Sequence, residues 1–286
     1  MEVILSSYSL QNWMKENNKN QFDCLQKSAE LGMAGMEFTG LIPPTGESTL
    51  DFAARIRAEA QRLGLTIENY AVGADFINGS DGDLDREVAR VCALVDDAAA
   101  LGAPRMRHDV VYALRAEMTF ESILPRLAEG CRRVTEYAAT KGIATMVENH
   151  GLICQEPERV LALYHAVGHP NFGLLTDIGN FLCADAEPAA SVLAVAPYAR
   201  YVHAKDFLYK DKNAVDPGDY WFRSRGGSYL RGTVIGHGIV PVGTCLGYLK
   251  AAGYNGPITL EYEGMERNID ALTVGKKNLE RFWENA

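Results

Sequence analysis

Four short apolar runs in the second half of the chain each end on a side chain that binds hard metal ions. Glu148 follows Ala144–Val147, Asp177 follows Phe172–Thr176, His203 follows Tyr201 and Val202, and Glu261 follows Ile258–Leu260. Runs of this length and composition read as buried strands. A charged side chain at the end of a buried strand is costly to hold unless something pairs with it, and a divalent cation is an effective partner. One polar strand end by itself reads as a turn former or a helix cap; four of ligand type, in successive strands, read as a metal site. Three carboxylates with one imidazole and no thiolate suit Mn²⁺ best, with Mg²⁺, Co²⁺ or Zn²⁺ as alternatives.

The elements that must position these residues alternate along the chain. Candidate strands begin near Val3, Gly35, Thr66, Pro104, Ala144, Phe172, Tyr201 and Pro257, and most gaps between them carry apolar residues at helical spacing. Val88, Val91, Cys92, Val95 and Ala99 form one such stripe; Leu124, Leu127, Cys131, Val134 and Ala138 form another. Glycines at 32, 64, 102, 142 and 253 stand just before the next strand, where a left-handed residue closes a helix. Eight strands alternating with helices over 286 residues match a (β/α)8 TIM barrel, so the chain is expected to be α/β, a single TIM-barrel domain over 1–286. The doubly wound alternative lacks its glycine-rich turn: Ser6-Ser7-Tyr8-Ser9 follows the first strand. In a barrel all strand C-termini open on one face, so Glu148, Asp177, His203 and Glu261 are expected to meet from the fifth to eighth strands.

Composition excludes several classes. With 47% hydrophobic and 23% charged residues the chain is of ordinary globular type, and no apolar run approaches the roughly 20 residues that span a bilayer. An acid, Glu2, stands where a signal peptide carries basic residues, so a cytoplasmic location with no membrane partner is expected. The six cysteines are scattered without a C-x-x-C pair, which suits reduced, buried thiols. A formal charge of −9 and the absence of a lysine or arginine run make nucleic acid an unfavourable partner.

Other residues on the same face admit two readings. His150, two residues beyond Glu148, points to the same side if the strand continues; it is a general acid or base, or else it caps the loop or supports a ligand carboxylate. His108, ending the fourth strand, carries the same ambiguity and is a candidate to bind substrate. Lys205 and Asp206 bind substrate oxygens or anchor a loop. Glu37, ending the second strand, reads as a hydrogen-bond anchor, while His165, His169 and His237 are assigned no chemistry. The stretch 206–240 is a long loop rich in aromatics, arginines and glycines, expected over the active-site face as a lid or binding wall, or as a subunit contact. Within it Arg231 is a candidate for substrate, including a phosphate.

The motifs Val147-Glu148-Asn149-His150-Gly151, Asp177-Ile178-Gly179-Asn180-Phe181, Val202-His203-Ala204-Lys205-Asp206 and Leu260-Glu261-Tyr262-Glu263-Gly264 resemble those of the xylose-isomerase-like TIM-barrel superfamily, especially its sugar isomerase and ketose 3-epimerase branch. The resemblance implies a divalent-metal-dependent sugar isomerase or epimerase that abstracts a proton α to a carbonyl through a metal-stabilised enediolate. It further implies that Glu148 and Glu261 remove and return that proton from opposite faces. The chemistry agrees, because such a carbon acid ionises only if the developing oxyanion is stabilised by a Lewis acid. Those relatives carry a histidine three residues after the aspartate ligand, where this chain has Asn180, which bonds a hydroxyl but carries no proton. The stretch from Arg225 to Gly238 is similar to barrel subunits of bacterial C-glycoside deglycosidases. That likeness implies a lyase acting on 3-keto glycosides, with His150 as acid or base and a small β-rich partner subunit. The partners expected are therefore a sugar or glycoside, and a second copy of the chain or that small subunit. A DNA-repair endonuclease of related fold needs more histidines than the six present and a basic groove; a non-catalytic sugar-binding barrel needs no coordinated Glu148 and Glu261 pair.

Overall fold

A computed structural model describes residues 1–286. Seven parallel strands run through the first two-thirds of the chain: β1 (Val3–Ser6), β2 (Gly35–Thr39), β3 (Thr66–Val72), β4 (Arg105–His108), β5 (Ala144–Glu148), β6 (Phe172–Asp177) and β7 (Ala199–Ala204). A separate three-stranded antiparallel sheet follows, from β8 (Asp206–Lys210), β9 (Phe222–Arg223) and β10 (Tyr229–Thr233), in the order β8-β10-β9. Strand β11 (Ile258–Leu260) then pairs with both β7 and β1 and closes an eight-stranded parallel barrel. The fold is thus the single TIM-barrel domain expected from the alternation.

Around the barrel lie α1 (Gln11–Asn17), α2 (Gln21–Glu30), α3 (Thr49–Arg62), α4 (Leu84–Leu101), α5 (Phe120–Thr140), α6 (Pro157–Val167), α7 (Pro188–Val195), α8 (Val242–Ala251) and α9 (Asn268–Asn285). Their sequences state where they begin. Asn20 and Thr119 each form a reciprocal capping box with the residue three positions on, and Asp83 accepts from the Arg86 amide at the start of α4. Gly102, at φ 80°, ends α4 in the left-handed conformation. Ile123, Leu127, Cys131, Val134 and Ala138 of α5 recur at three- and four-residue spacing and are all buried, so the helix turns one continuous face to the strands. Burying Ile123, Leu127 and Val134 contributes about 1.5–3 kcal/mol each. All six cysteines are free, and all but the half-buried Cys92 are buried. No helix is long and apolar enough to cross a membrane.

Inside the barrel the two-residue period of the strands builds layers. Met146, Leu175 and Tyr201 pack together as a small buried cluster, with the Arg105 guanidinium over the Tyr201 ring and the Thr259 hydroxyl donating to the Tyr201 oxygen at 2.6 Å. Two residues further along the same strands stand Arg107, Glu148, Asp177, His203 and Glu261. The apolar layer is the floor on which the polar layer rests. Register fixes the match across strands: Asp177 lies opposite His203.

The stretch 206–240, expected as a long loop, is therefore partly ordered as the small sheet. Asp206 ties its two ends together. Its buried carboxylate accepts from the amides of Phe207, Gly236, Gly238 and Val240 at 2.8–3.1 Å. Gly238 is required there, because a Cβ would collide with the Asp206 carboxylate and the Phe207 carbonyl. Of the two roles open to Asp206, anchoring the loop is the one its contacts show.

Candidate metal centre and active site

Glu148, Asp177, His203 and Glu261 are all buried, and one ligand atom of each lies within 4.8 Å of every other. Donor atoms on opposite sides of a divalent ion stand apart by twice the bond length, roughly 4–5 Å, so the set fits a single cation. Two buried atoms carry the same message. His203 Nδ1 and Asp177 Oδ2 have no hydrogen-bond partner in the protein, although nearly every buried polar atom in a folded chain has one. His203 Nδ1 faces the three carboxylates, at 3.5 Å from Glu261, 3.8 Å from Glu148 and 4.0 Å from Asp177.

Each candidate ligand is oriented by its neighbours. His203 Nε2 lies 2.7 Å from the Glu37 carboxylate, which also receives Ser6 Oγ at 3.0 Å and Asn69 Nδ2 at 2.8 Å. Glu37 is thus the hydrogen-bond anchor that holds the imidazole with Nδ1 inward, the arrangement in which a carboxylate behind a ligating histidine raises its basicity. Asp177 Oδ1 accepts from the amides of Gly179 and Asn180, and Asn149 brackets the Asp177 backbone through two bonds of 2.9 Å. Glu148 receives Asn180 Nδ2 at 2.9 Å on one oxygen, and its other oxygen forms an ion pair with Arg107, 2.7 Å from Nε. Lys205 Nζ lies 2.8 Å from Glu261, 3.3 Å from the Asn180 amide oxygen and 3.6 Å from Glu263.

The electrostatics follow from crowding three carboxylates and an imidazole in a water-poor site. Burial, with the Glu148 and Glu261 charges, pushes the Asp177 carboxyl up to about 6 against the pull of Lys205. Burial raises Glu261 too, but Lys205 and His203 outweigh it and hold that carboxylate well below the usual range. Against burial, Glu37 and Glu261 hold His203 well above the ordinary imidazole value, and Glu261, Glu263 and Asp177 do the same for Lys205. A cation among these oxygens would take over the role of the His203 proton.

Sequence reasoning missed Arg107. Its guanidinium spans Glu148 on one side and Asp109 on the other, at 2.7 and 2.9 Å, and the two carboxylates outweigh burial to hold it firmly charged. The signal was strand parity, since Arg107 stands two residues after Arg105 on the interior side. His108 consequently lies on the opposite side, a correction to its expected place. It is fully buried edge-on against Phe76, with Nδ1 on the Asp109 carbonyl, and burial lowers its pKa to about 4. It lines none of the cavity described below. Arg231 is also displaced from its expected role: it packs over the Trp221 ring, with Met265 and Glu266 as its polar neighbours. From the same small sheet Phe222 and Arg223 do reach the site, lining a recess with His150, Asn180 and Lys205.

The cluster opens on a cavity of about 630 Å³ whose wall includes Glu148, His150, His203, Lys205 and Glu261. His150 Nδ1 is 2.9 Å from Asp109, and that bond raises the imidazole pKa against the effect of burial. Asp109 in turn takes the Tyr112 hydroxyl at 3.0 Å. The chain Glu148–Arg107–Asp109–His150 therefore joins a carboxylate of the candidate metal cluster to an imidazole at the cavity wall.

Residues 25–282 match the family model described as xylose isomerase-like TIM barrel. The uncharacterized protein YihM of Escherichia coli strain K12 is 23% identical over 178 residues, 62% of this chain and 50% of that protein, so the match spans about half the length of that relative. Among solved structures, an L-ribulose 3-epimerase superposes with a TM-score of 0.76 at 15% identity, covering 99% of this chain and 95% of that one. The IolI protein with a bound zinc atom superposes with a TM-score of 0.77 at 14% identity, covering 100% and 99%. At these identities the structural likeness speaks to the fold.

Proposed function

The chain belongs to the xylose isomerase-like TIM-barrel family, and on that premise we propose that it is a divalent-metal-dependent sugar isomerase or epimerase acting by proton abstraction α to a carbonyl. The observation that carries this reading is the four-residue cluster with its two unpartnered inward atoms, His203 Nδ1 and Asp177 Oδ2. The L-ribulose 3-epimerase of like fold supports the class of reaction. Glu148, Asp177, His203 and Glu261 would hold the ion. When bound, it supplies Lewis acidity toward a carbonyl oxygen and its neighbouring hydroxyl; Mn²⁺ is the ion preferred for an oxygen-rich set of this kind.

The protein's own groups do the rest. Glu148 and Glu261 are the two carboxylates available to take and return the proton, and each is held by a cation, Arg107 or Lys205, which lets two anions share one cavity. Because both oxygens of Glu148 are held, its plane is fixed, and a fixed carboxylate loses little entropy on reaching the transition state. Lys205 and Asn180 offer donors to substrate hydroxyls from the same wall. A second reading, a 3-keto-glycoside lyase with a small β-rich partner, shares this first step. It is favoured by His150, which Asp109 orients at the cavity wall as an acid for a leaving group.

Proton exchange tests both. Mn²⁺-loaded protein in D₂O, offered ketoses, their phosphates and 3-keto glycosides, is expected to place deuterium α to a carbonyl, and Glu148→Gln and Glu261→Gln to abolish exchange. Release of an aglycone selects the lyase, and absence of metal-dependent exchange on every member removes the proposal.

A further inference from the structure

The cavity does not end at the metal-ligand cluster. It continues past Ala71–Gly73 into a lobe beside α4 and the start of α3, lined by Thr39, Thr49, Tyr70, Arg90, Leu94 and Asp97. Arg90, Leu94 and Asp97 come from one face of α4, at spacings of four and three. Tyr70 stands one residue after Asn69, which bonds Glu37 inside the barrel, so strand alternation turns Tyr70 outward to the helices.

Asp97 is the unexplained member. It is 8% exposed and lines the lobe, yet its carboxylate accepts no hydrogen bond and forms no ion pair within the protein. Its neighbour Asp96 is by contrast satisfied by Tyr137 and Lys141 on the outer surface. Burial and the Asp96 charge both raise the Asp97 pKa, as they must where a charge lacks a partner. The Asp97 oxygens are not sealed inside the protein but open on the cavity, so a donor group of a bound molecule can reach them.

We infer that this lobe is a second subsite, in which Asp97 accepts hydroxyl donors from a second ring of the substrate, so that the substrate is a two-ring sugar conjugate instead of a free monosaccharide. The inference rests on the proposed sugar chemistry and names its substrate class. The uncharged polar groups of the lobe, Thr39, Thr49 and Tyr70, are all hydroxyls, while Leu94 offers an apolar edge for a ring face. A cationic group is disfavoured by the Arg90 guanidinium on the same wall, which Glu87 and the Gly73 carbonyl fix in place at 2.6 and 2.8 Å. An anionic group meets Asp97 itself. The whole cavity, about 630 Å³, falls in the range of roughly 300–1,000 Å³ typical of sites for larger small molecules.

The test compares D-fructose with its glucosyl derivatives turanose, maltulose and isomaltulose, read by calorimetry and by saturation-transfer NMR on Mn²⁺-loaded protein. At least one two-ring ligand is expected to bind tenfold or more tightly than fructose, with saturation transfer to both rings. Asp97→Leu should reduce that advantage to threefold or less while leaving fructose and Mn²⁺ affinity unchanged, and Asp97→Asn should retain part of it. Equal affinity for one-ring and two-ring ligands, including no measurable binding of either, overturns the inference, as does an advantage that survives Asp97→Leu. A two-ring preference without α-proton exchange would keep the subsite and reject the isomerase reading.

Discussion

Replacing Glu37 by glutamine removes one negative charge from behind His203 while keeping the size of the side chain. The structure states what else changes. Three donors converge on the Glu37 carboxylate: His203 Nε2 at 2.7 Å and Asn69 Nδ2 at 2.8 Å on one oxygen, Ser6 Oγ at 3.0 Å on the other. A glutamine oxygen can serve the first two, and its amide can donate to Ser6, whose hydroxyl rotates to accept. The imidazole therefore keeps its orientation and loses the charge that raises its basicity. Losing such a supporting carboxylate weakens metal binding about 10–100-fold, equivalent to about 1.4–2.7 kcal/mol at 25 °C. The pair is buried, with His203 1% and Glu37 0% exposed, so the effect should change little between low and moderate salt. The assay is calorimetric titration of metal-free wild type and Glu37→Gln with MnCl₂ at pH 7.5, with circular dichroism to show that both are folded. His203→Gln, which removes a ligand outright, should lose more. Binding by Glu37→Gln within threefold of wild type, or by His203→Gln equal to wild type, would refute the argument that His203 Nδ1 is a ligand tuned from behind.

Three further outcomes follow from single groups. Arg107→Met leaves the Glu148 and Asp109 carboxylates buried without their shared cation, and should cost about 3–5 kcal/mol of stability, read by denaturant unfolding with metal absent; a loss below 1 kcal/mol would contradict the role given to the guanidinium. His108 has its folded-state pKa lowered by burial to about 4, so the unfolded chain binds its proton first; the stability it contributes is complete above about pH 6.5 and is lost as pH falls toward 4, by about 3 kcal/mol in all. His108→Asn should flatten that part of the stability–pH curve, and an unchanged slope would show the histidine charges freely in the fold. Asp206→Ala removes the acceptor of four amides and should speed hydrogen exchange at Gly236, Gly238 and Val240 by tenfold or more, while amides of β5 stay protected.

What the sequence determined by itself follows from local rules. Apolar runs of strand length, helical stripes such as that of α5, and capping residues such as Asn20, Asp83 and Thr119 act over a few neighbours, so the alternation and hence the barrel were legible. The strand-end positions of Glu148, Asp177, His203 and Glu261 were legible for the same reason, whereas the small sheet within 206–240 was not. The side that a residue faces at a strand end was harder to read. Arg107 and His108 are adjacent and both polar, and only the register of β4 against β5 decides that the arginine meets Glu148 while the histidine packs on Phe76. Arg231 looked available in a glycine-rich stretch, yet pairing of β10 with β8 and β9 carries it to the Trp221 ring. The partners that set charge and orientation lie far away in the chain: Glu37 and His203 are 166 residues apart, and Asn180 and Glu148 are 32 apart. Asp97 is the limiting case, since an acid beside another on a helix looks like a solvated residue until the fold sets it on the cavity wall. Identity and spacing are properties of the chain, whereas burial, parity and partnership arise only when distant segments pack, and those decide which of the polar residues carries a role.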